Sequence, residues 1–93
     1  MEMDREKIEN NNKDLLNELT NVNDNMQICI SRTEHIRDII YKIENIKSQS
    51  RDLNIKYLLK DALKVLENNE KHMVEIYKKN LERKDEINNI LYR

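Results

Sequence analysis

Residues 8–43 read IENNNKDLLNELTNVNDNMQICISRTEHIRDIIYKI. Within this stretch Ile8, Asn12, Leu15, Leu19, Val22, Met26, Cys29, Thr33, Ile36, Ile40 and Ile43 follow one another by alternating steps of four and three. Nine of these eleven positions are apolar, counting Cys29. A helix turns once every 3.6 residues, so an apolar spacing of 3.5 keeps one narrow seam on one side of a slightly supercoiled helix. About five such repeats in a row predict a coiled-coil helix. The segment Thr20 to Asn25 is rich in residues that favour turns and caps over helix interiors. Val22 and Met26 nevertheless hold the phase of Leu19 and Cys29, which predicts one continuous helix with a soft spot.

Toward the end of the stretch the apolar stripe widens. Ile39 and Ile46 form a second row beside Ile36, Ile40 and Ile43. A two-stranded seam uses one row, so a second row predicts contact with more than one neighbouring helix.

Residues 48–53 supply the turn. Ser48, Ser50, Asp52 and Asn54 are all good N-cap residues, so several starts are open to the next helix. That helix is expected over about 54–91, with apolar positions Ile55, Leu59, Leu63, Leu66, Met73, Val74, Tyr77, Leu81, Ile87 and Leu91. Their spacing is nearer 3.6 than 3.5, which predicts less supercoiling than in the first arm. Asn68, Asn69 and Glu70 interrupt the stripe as a second soft spot. Glu9–Lys13, Asp38–Lys42, Glu67–Lys71 and Glu75–Lys79 each place an acid four residues before a base, the favourable order for helical ion pairs.

The expected fold is therefore all-α: a single domain, residues 1–93, with a helix at about 4–47, a turn at about 48–53 and a helix at about 54–91. These form a long antiparallel two-helix coiled-coil hairpin. A turn centred near Ser50 sets Ile36 near Val65, Ile43 near Leu58, Met26 near Glu75, Leu15 near Glu86 and Ile8 near Arg93, with arms of roughly 55–65 Å. The alternative is a compact three- or four-helix bundle, in which the soft spots are breaks.

Composition agrees with the helical reading. The chain has no Gly and no Pro, so it lacks the usual means of building tight β-turns. Charged residues make up 38% and hydrophobic residues 38%, a load that suits helices with a narrow apolar face. The net charge of −1 argues against disorder, which pairs low hydropathy with high net charge. No apolar run is long enough to span a membrane, and residues 1–7 do not resemble a secretory leader. With Cys29 as the single cysteine, a reducing, cytoplasmic setting is expected. A lone hairpin of this size has few core layers and neither disulfide nor metal motif, which leaves oligomerisation to complete the bundle.

The sequence holds few residues placed for chemistry. His35 and His72 lie on different arms and belong to no metal motif. Cys29 falls on the seam, where a small buried apolar residue is the simplest reading. A Gly-rich phosphate loop is excluded. Lys78, Lys79, Arg83 and Lys84 are interleaved with Glu75, Glu82, Asp85 and Glu86, so no clean basic footprint for nucleic acid emerges. Neither catalytic residues, metal, cofactor nor small-molecule ligand is expected. The expected partners are proteins, met through helix–helix packing as a homo- or hetero-oligomer. Ile36, Ile39, Ile40, Ile43, Ile46, Leu59, Leu63 and Leu66 are the expected contact residues.

Ser48-Gln49-Ser50-Arg51-Asp52 resembles the Ser-x-x-x-Asp element of small two-helix phosphatases of sporulation regulators, although the apolar phase after Asp52 departs from that family. In architecture the chain resembles the coiled-coil subunits of trafficking and tethering complexes, secretion chaperones and kinetochore-type rod subunits. It also resembles secreted bacterial hairpins with a Trp-x-Gly turn, but it has neither Trp nor Gly. The long apolar helix faces lead to the expectation of a non-catalytic subunit or adaptor of a multi-protein assembly. A small chaperone or regulator that binds one client is the second reading, and a small helical enzyme the third.

Overall fold

A computed structural model describes residues 2–92, with side chains from Asn11 onward. Ile8, Glu9 and Arg93, placed by the sequence on the seam, in the first ion pair and at the end of the register, lie outside the described side chains or residues. Two helices make up the fold: α1, Glu2–Gln49, and α2, Leu53–Leu91. They pack against each other as an antiparallel hairpin with principal extents of 77 × 17 × 14 Å. Both soft spots stay helical, so the compact-bundle alternative does not hold. In α1 the Thr20 hydroxyl donates to the Leu16 carbonyl at 3.1 Å, satisfying within the helix a side chain that could otherwise compete with it.

The turn takes residues 50–52 and uses no positive φ among the described residues. Ser48 Oγ donates to the Asn45 carbonyl at 2.9 Å. The Ser50 amide donates to the Ile46 carbonyl at 3.0 Å. These bonds satisfy carbonyls that a helix end otherwise leaves free. Asp52 adopts an extended backbone, and its carboxylate accepts from the amides of Asn54 at 2.8 Å and Ile55 at 3.4 Å. Of the cap candidates, then, Asp52 opens α2. Asp52→Ala is expected to lower stability by about 1 kcal/mol, read as a shift in the urea midpoint with an unchanged slope.

Burial in α1 follows the seam from Leu15 through Leu19, Val22, Met26, Cys29, Thr33, Ile36, Ile40 and Ile43 to Lys47. Asn12 departs from expectation: it is exposed and borders an open groove with Leu15 and with Ile90 of α2. α1 exceeds α2 by roughly two and a half turns, and Leu15 and Leu91 both pack against the cluster of Val22, Met26 and Ile87.

The second arm corrects the sequence reading. Its less exposed positions include Lys56, Leu59, Leu63, Leu66, Glu70, Met73, Tyr77, Asn80, Lys84, Ile87 and Leu91, an unbroken alternation of three and four. α2 therefore keeps the same heptad phase as α1. Lys56, Glu70, Asn80 and Lys84 occupy seam positions and hide that phase from a search for apolar residues alone. Long cationic side chains can lay their stems along apolar surface with the charge in water. The Asn80 amide donates to the Ile76 carbonyl at 2.8 Å. Ile55 and Leu81, expected on the stripe, are exposed.

The best-buried part of the seam lies away from the turn. Val22, Met26 and Ile87 form a cluster with Leu15, Leu19, Tyr77 and Leu91 packed around it, and Ile87 is 0% exposed. Beside this cluster Arg83 makes a two-point bond to Glu18, with Nε–Oε1 at 2.6 Å and Nη2–Oε2 at 2.9 Å. Its Nη1 reaches Glu86 at 2.9 Å. Glu18 and Arg83 are the level that a turn centred near Ser50 assigns to each other, so this pair also marks the register. Nearer the middle, Arg37 meets Glu70 at 3.3 Å. Asp38 and Lys42 close the expected pair along α1 at 2.9 Å.

The hydrogen bond from Arg83 holds the Glu18 carboxyl below the usual carboxylate range, and the charge of Arg83 adds to this. A carboxyl lowered on folding stabilises the fold above its unfolded pKa, and that contribution is lost as pH falls through the folded value. Wild type should therefore be more stable than Glu18→Gln at neutral pH, and the gap should close below about pH 4. Thermal melts of the two chains at pH 7 and pH 3 check this. A gap independent of pH would exclude the ion pair as its cause.

Candidate functional site

The heptad rows next to the seam define the two long faces of the hairpin. On α1 the row through Glu18 continues to Asn25, Arg32, Ile39 and Ile46. On α2 the row through Arg83 runs back to Ile76, Asn69, Ala62 and Ile55. The Glu18–Arg83 bond shows that these two rows border the same face. Arg32 and Asn69 line one shallow groove together with Ser31, His35, Ile36 and Met73, which ties the rows together again in the middle of the hairpin. A heptad repeat keeps each row on its side along the rod, so the face reaches the turn with Ile39 and Ile46 on α1 and Ile55 and Ala62 on α2.

Its chemistry changes along its length. Far from the turn it is ion-paired, and in the middle it is mixed, with Arg32 and Asn69 beside Ile76 and, one row out on α1, Ile28 at 47% exposed. Beside the turn it is apolar, and Leu58 and Val65, one heptad apart in the next row of α2, extend it outward. Ile46 is 55%, Leu58 68% and Val65 60% exposed. On a monomer, a grouped apolar surface of this kind is a common mark of a binding site, whereas scattered apolar residues are not.

The eight expected contact residues divide accordingly. Ile36, Ile40, Ile43, Leu59 and Leu66 are half-buried on the seam, and Leu63 is buried there at 7%. These six hold the hairpin closed. Ile39, half-buried, and Ile46, exposed, lie on the open face. Leu58, Val65 and Ile55 belong to the same face and were absent from the expected set. Leu58 and Leu59 are neighbours in sequence, and only the phase of the seam tells which of the two points inward.

The opposite face is more broken. Cys29, 5% exposed, sits beneath an open groove of about 200 Å³ lined by Ile30, Thr33, Glu34, Arg37, Val74 and Tyr77. His72 does not line that groove and is exposed. Among the described residues no group of three His, Cys, Asp or Glu side chains could hold a metal ion. Ser48 and Asp52, the ends of the Ser-x-x-x-Asp element, both act as caps at the turn. Among the described residues, no helix is long and apolar enough to cross a membrane. No protein-family model matches the chain, and no curated protein or solved structure matches it either.

Proposed function

We propose that this chain is a non-catalytic coiled-coil interaction module, a subunit or adaptor of a multi-protein assembly, that offers the apolar face beside its turn to helices of a protein partner. The observation that carries this reading is the exposure of Ile46, Leu58 and Val65 on one side of a hairpin that has already closed its seam. Helix faces of this type are recognised by other helices through anchors at heptad spacing. The rigid seam keeps both rows in place before a partner arrives, which reduces the ordering cost of binding. Arg32 and Asn69 would set the limit of the contact and its register, since pairing there must satisfy hydrogen-bonding groups.

A photo-activated crosslinking residue at position 58, introduced into the chain in its native cell, tests the reading. The expected result is a discrete protein adduct, stronger than that from position 41. Tyr41 is 64% exposed and lies one heptad on from Glu34, which borders the opposite groove. Equal or absent adducts from the two positions would overturn the proposal.

A further inference from the structure

We infer that the apolar face beside the turn is covered by a second copy of this chain, forming a four-helix bundle over the turn half of two hairpins. The inference rests on the docking role proposed above and names its occupant. Ile39, Ile46, Ile55 and Ala62 flank the groove between the helices, and one partner helix lying there would cover them. Leu58 and Val65 stand one row further out on α2 and are the most exposed members of the face, at 68% and 60%. Covering them as well requires a partner two helices wide. This hairpin, 17 × 14 Å in cross-section, has that width, and pairs of hairpins commonly complete such bundles.

Charge allows the same partner. The chain carries a net charge of only −1, so two copies repel each other little. A two-fold axis that sets α1 of one copy over α2 of the other faces the α1 row of His35 and Lys42 toward the α2 row of Leu58 and Val65. Lys42 is already paired with Asp38 at 2.9 Å, and its aliphatic stem can cover apolar surface while the ammonium stays in water. No carboxylate lies on the four positions flanking the groove.

Area is sufficient. Ile46, Ile55, Leu58 and Val65, at 55%, 44%, 68% and 60% exposed, together amount to on the order of 400 Å² of apolar surface per chain, the size of the largest patch on a typical monomer. Two such faces with their polar margins bury roughly 1,200 Å², the lower end for a specific interface. The pairing should therefore be reversible, with the dimer giving way to monomer on dilution.

Sedimentation equilibrium of the purified chain across a wide concentration range tests this, with circular dichroism on the same samples. The expected result is a concentration-dependent doubling of mass. The double variant Leu58→Glu, Val65→Glu should remain monomeric at the highest concentration with its helicity retained, since neither side chain supports the hairpin seam. Tyr41→Glu on the other face should dimerise like wild type. A wild-type chain that stays monomeric, or a dimer that the double variant leaves intact, would overturn the inference. The crosslinking experiment keeps the two readings apart. An adduct with a different protein from position 58, alongside a monomeric purified chain, rejects self-pairing and retains the docking role. The absence of any adduct rejects both.

Discussion

Ile87→Ala should unfold much of this protein. Ile87 is fully buried in the cluster with Val22 and Met26, and removing its outer carbons costs about 2–5 kcal/mol through lost transfer energy and the cavity left behind. Small domains are stable by only about 5–15 kcal/mol in total. A two-helix rod stands low in that range, because few of its described side chains are buried on all sides. Helicity at 25 °C should drop sharply in Ile87→Ala. Ile87→Val, which removes a single methylene, should cost about 1 kcal/mol and remain folded. Ile90→Ala, three residues on and 55% exposed, should stay within about 0.5 kcal/mol of wild type. If Ile87→Ala melted with wild type, the cluster would not be the anchor of the hairpin.

Asn25→Pro is the second large effect. Asn25 is exposed in the middle of α1, so packing plays little part in the change. Proline there removes a helical hydrogen bond and clashes with the carbonyl of Asn21, a cost of about 3 kcal/mol or more. The two arms should then separate beyond the break, with loss of the Glu18–Arg83 pair and of the cluster it borders. Asn25→Ala should act in the opposite sense and raise stability by a few tenths of a kcal/mol, because Ala favours the helix. Urea melts of the three chains check both. A chain in which residues 20–25 formed a loop would accept the proline with little change, so this substitution separates the continuous helix from a broken one.

The first arm was legible in the sequence because its seam positions are mostly apolar and keep phase through Val22 and Met26. The second arm was legible as a helix, but its phase was not. Lys56, Glu70, Asn80 and Lys84 stand on the seam, where apolar residues are expected, and Leu58, Val65 and Leu81 stand off it. The hairpin tolerates this because a solvated two-helix seam leaves polar side chains at its edge within reach of water. The position of the turn was readable, while the choice of Asp52 over Ser48, Ser50 and Asn54 depended on which residue takes the extended backbone beside two free amides. The docking face was half readable. Ile39 and Ile46 announced a second row on α1, but Leu58 and Val65 could be assigned to the open side only once the phase of α2 was known. Nothing in the spacing of Ile36, Ile40, Ile43, Leu59, Leu63 and Leu66 separates a seam that closes the hairpin from a surface that meets a partner. That separation comes from burial.

The most direct test of a protein-docking face beside the turn is hydroxyl-radical footprinting of the chain in two settings: within the assembly isolated from its native cell, and as the purified chain at high dilution. The account predicts that Ile46, Leu58 and Val65 are reactive in the dilute chain and protected in the assembly, while Tyr41 reacts similarly in both. Equal reactivity of Ile46, Leu58 and Val65 in the two settings would contradict it.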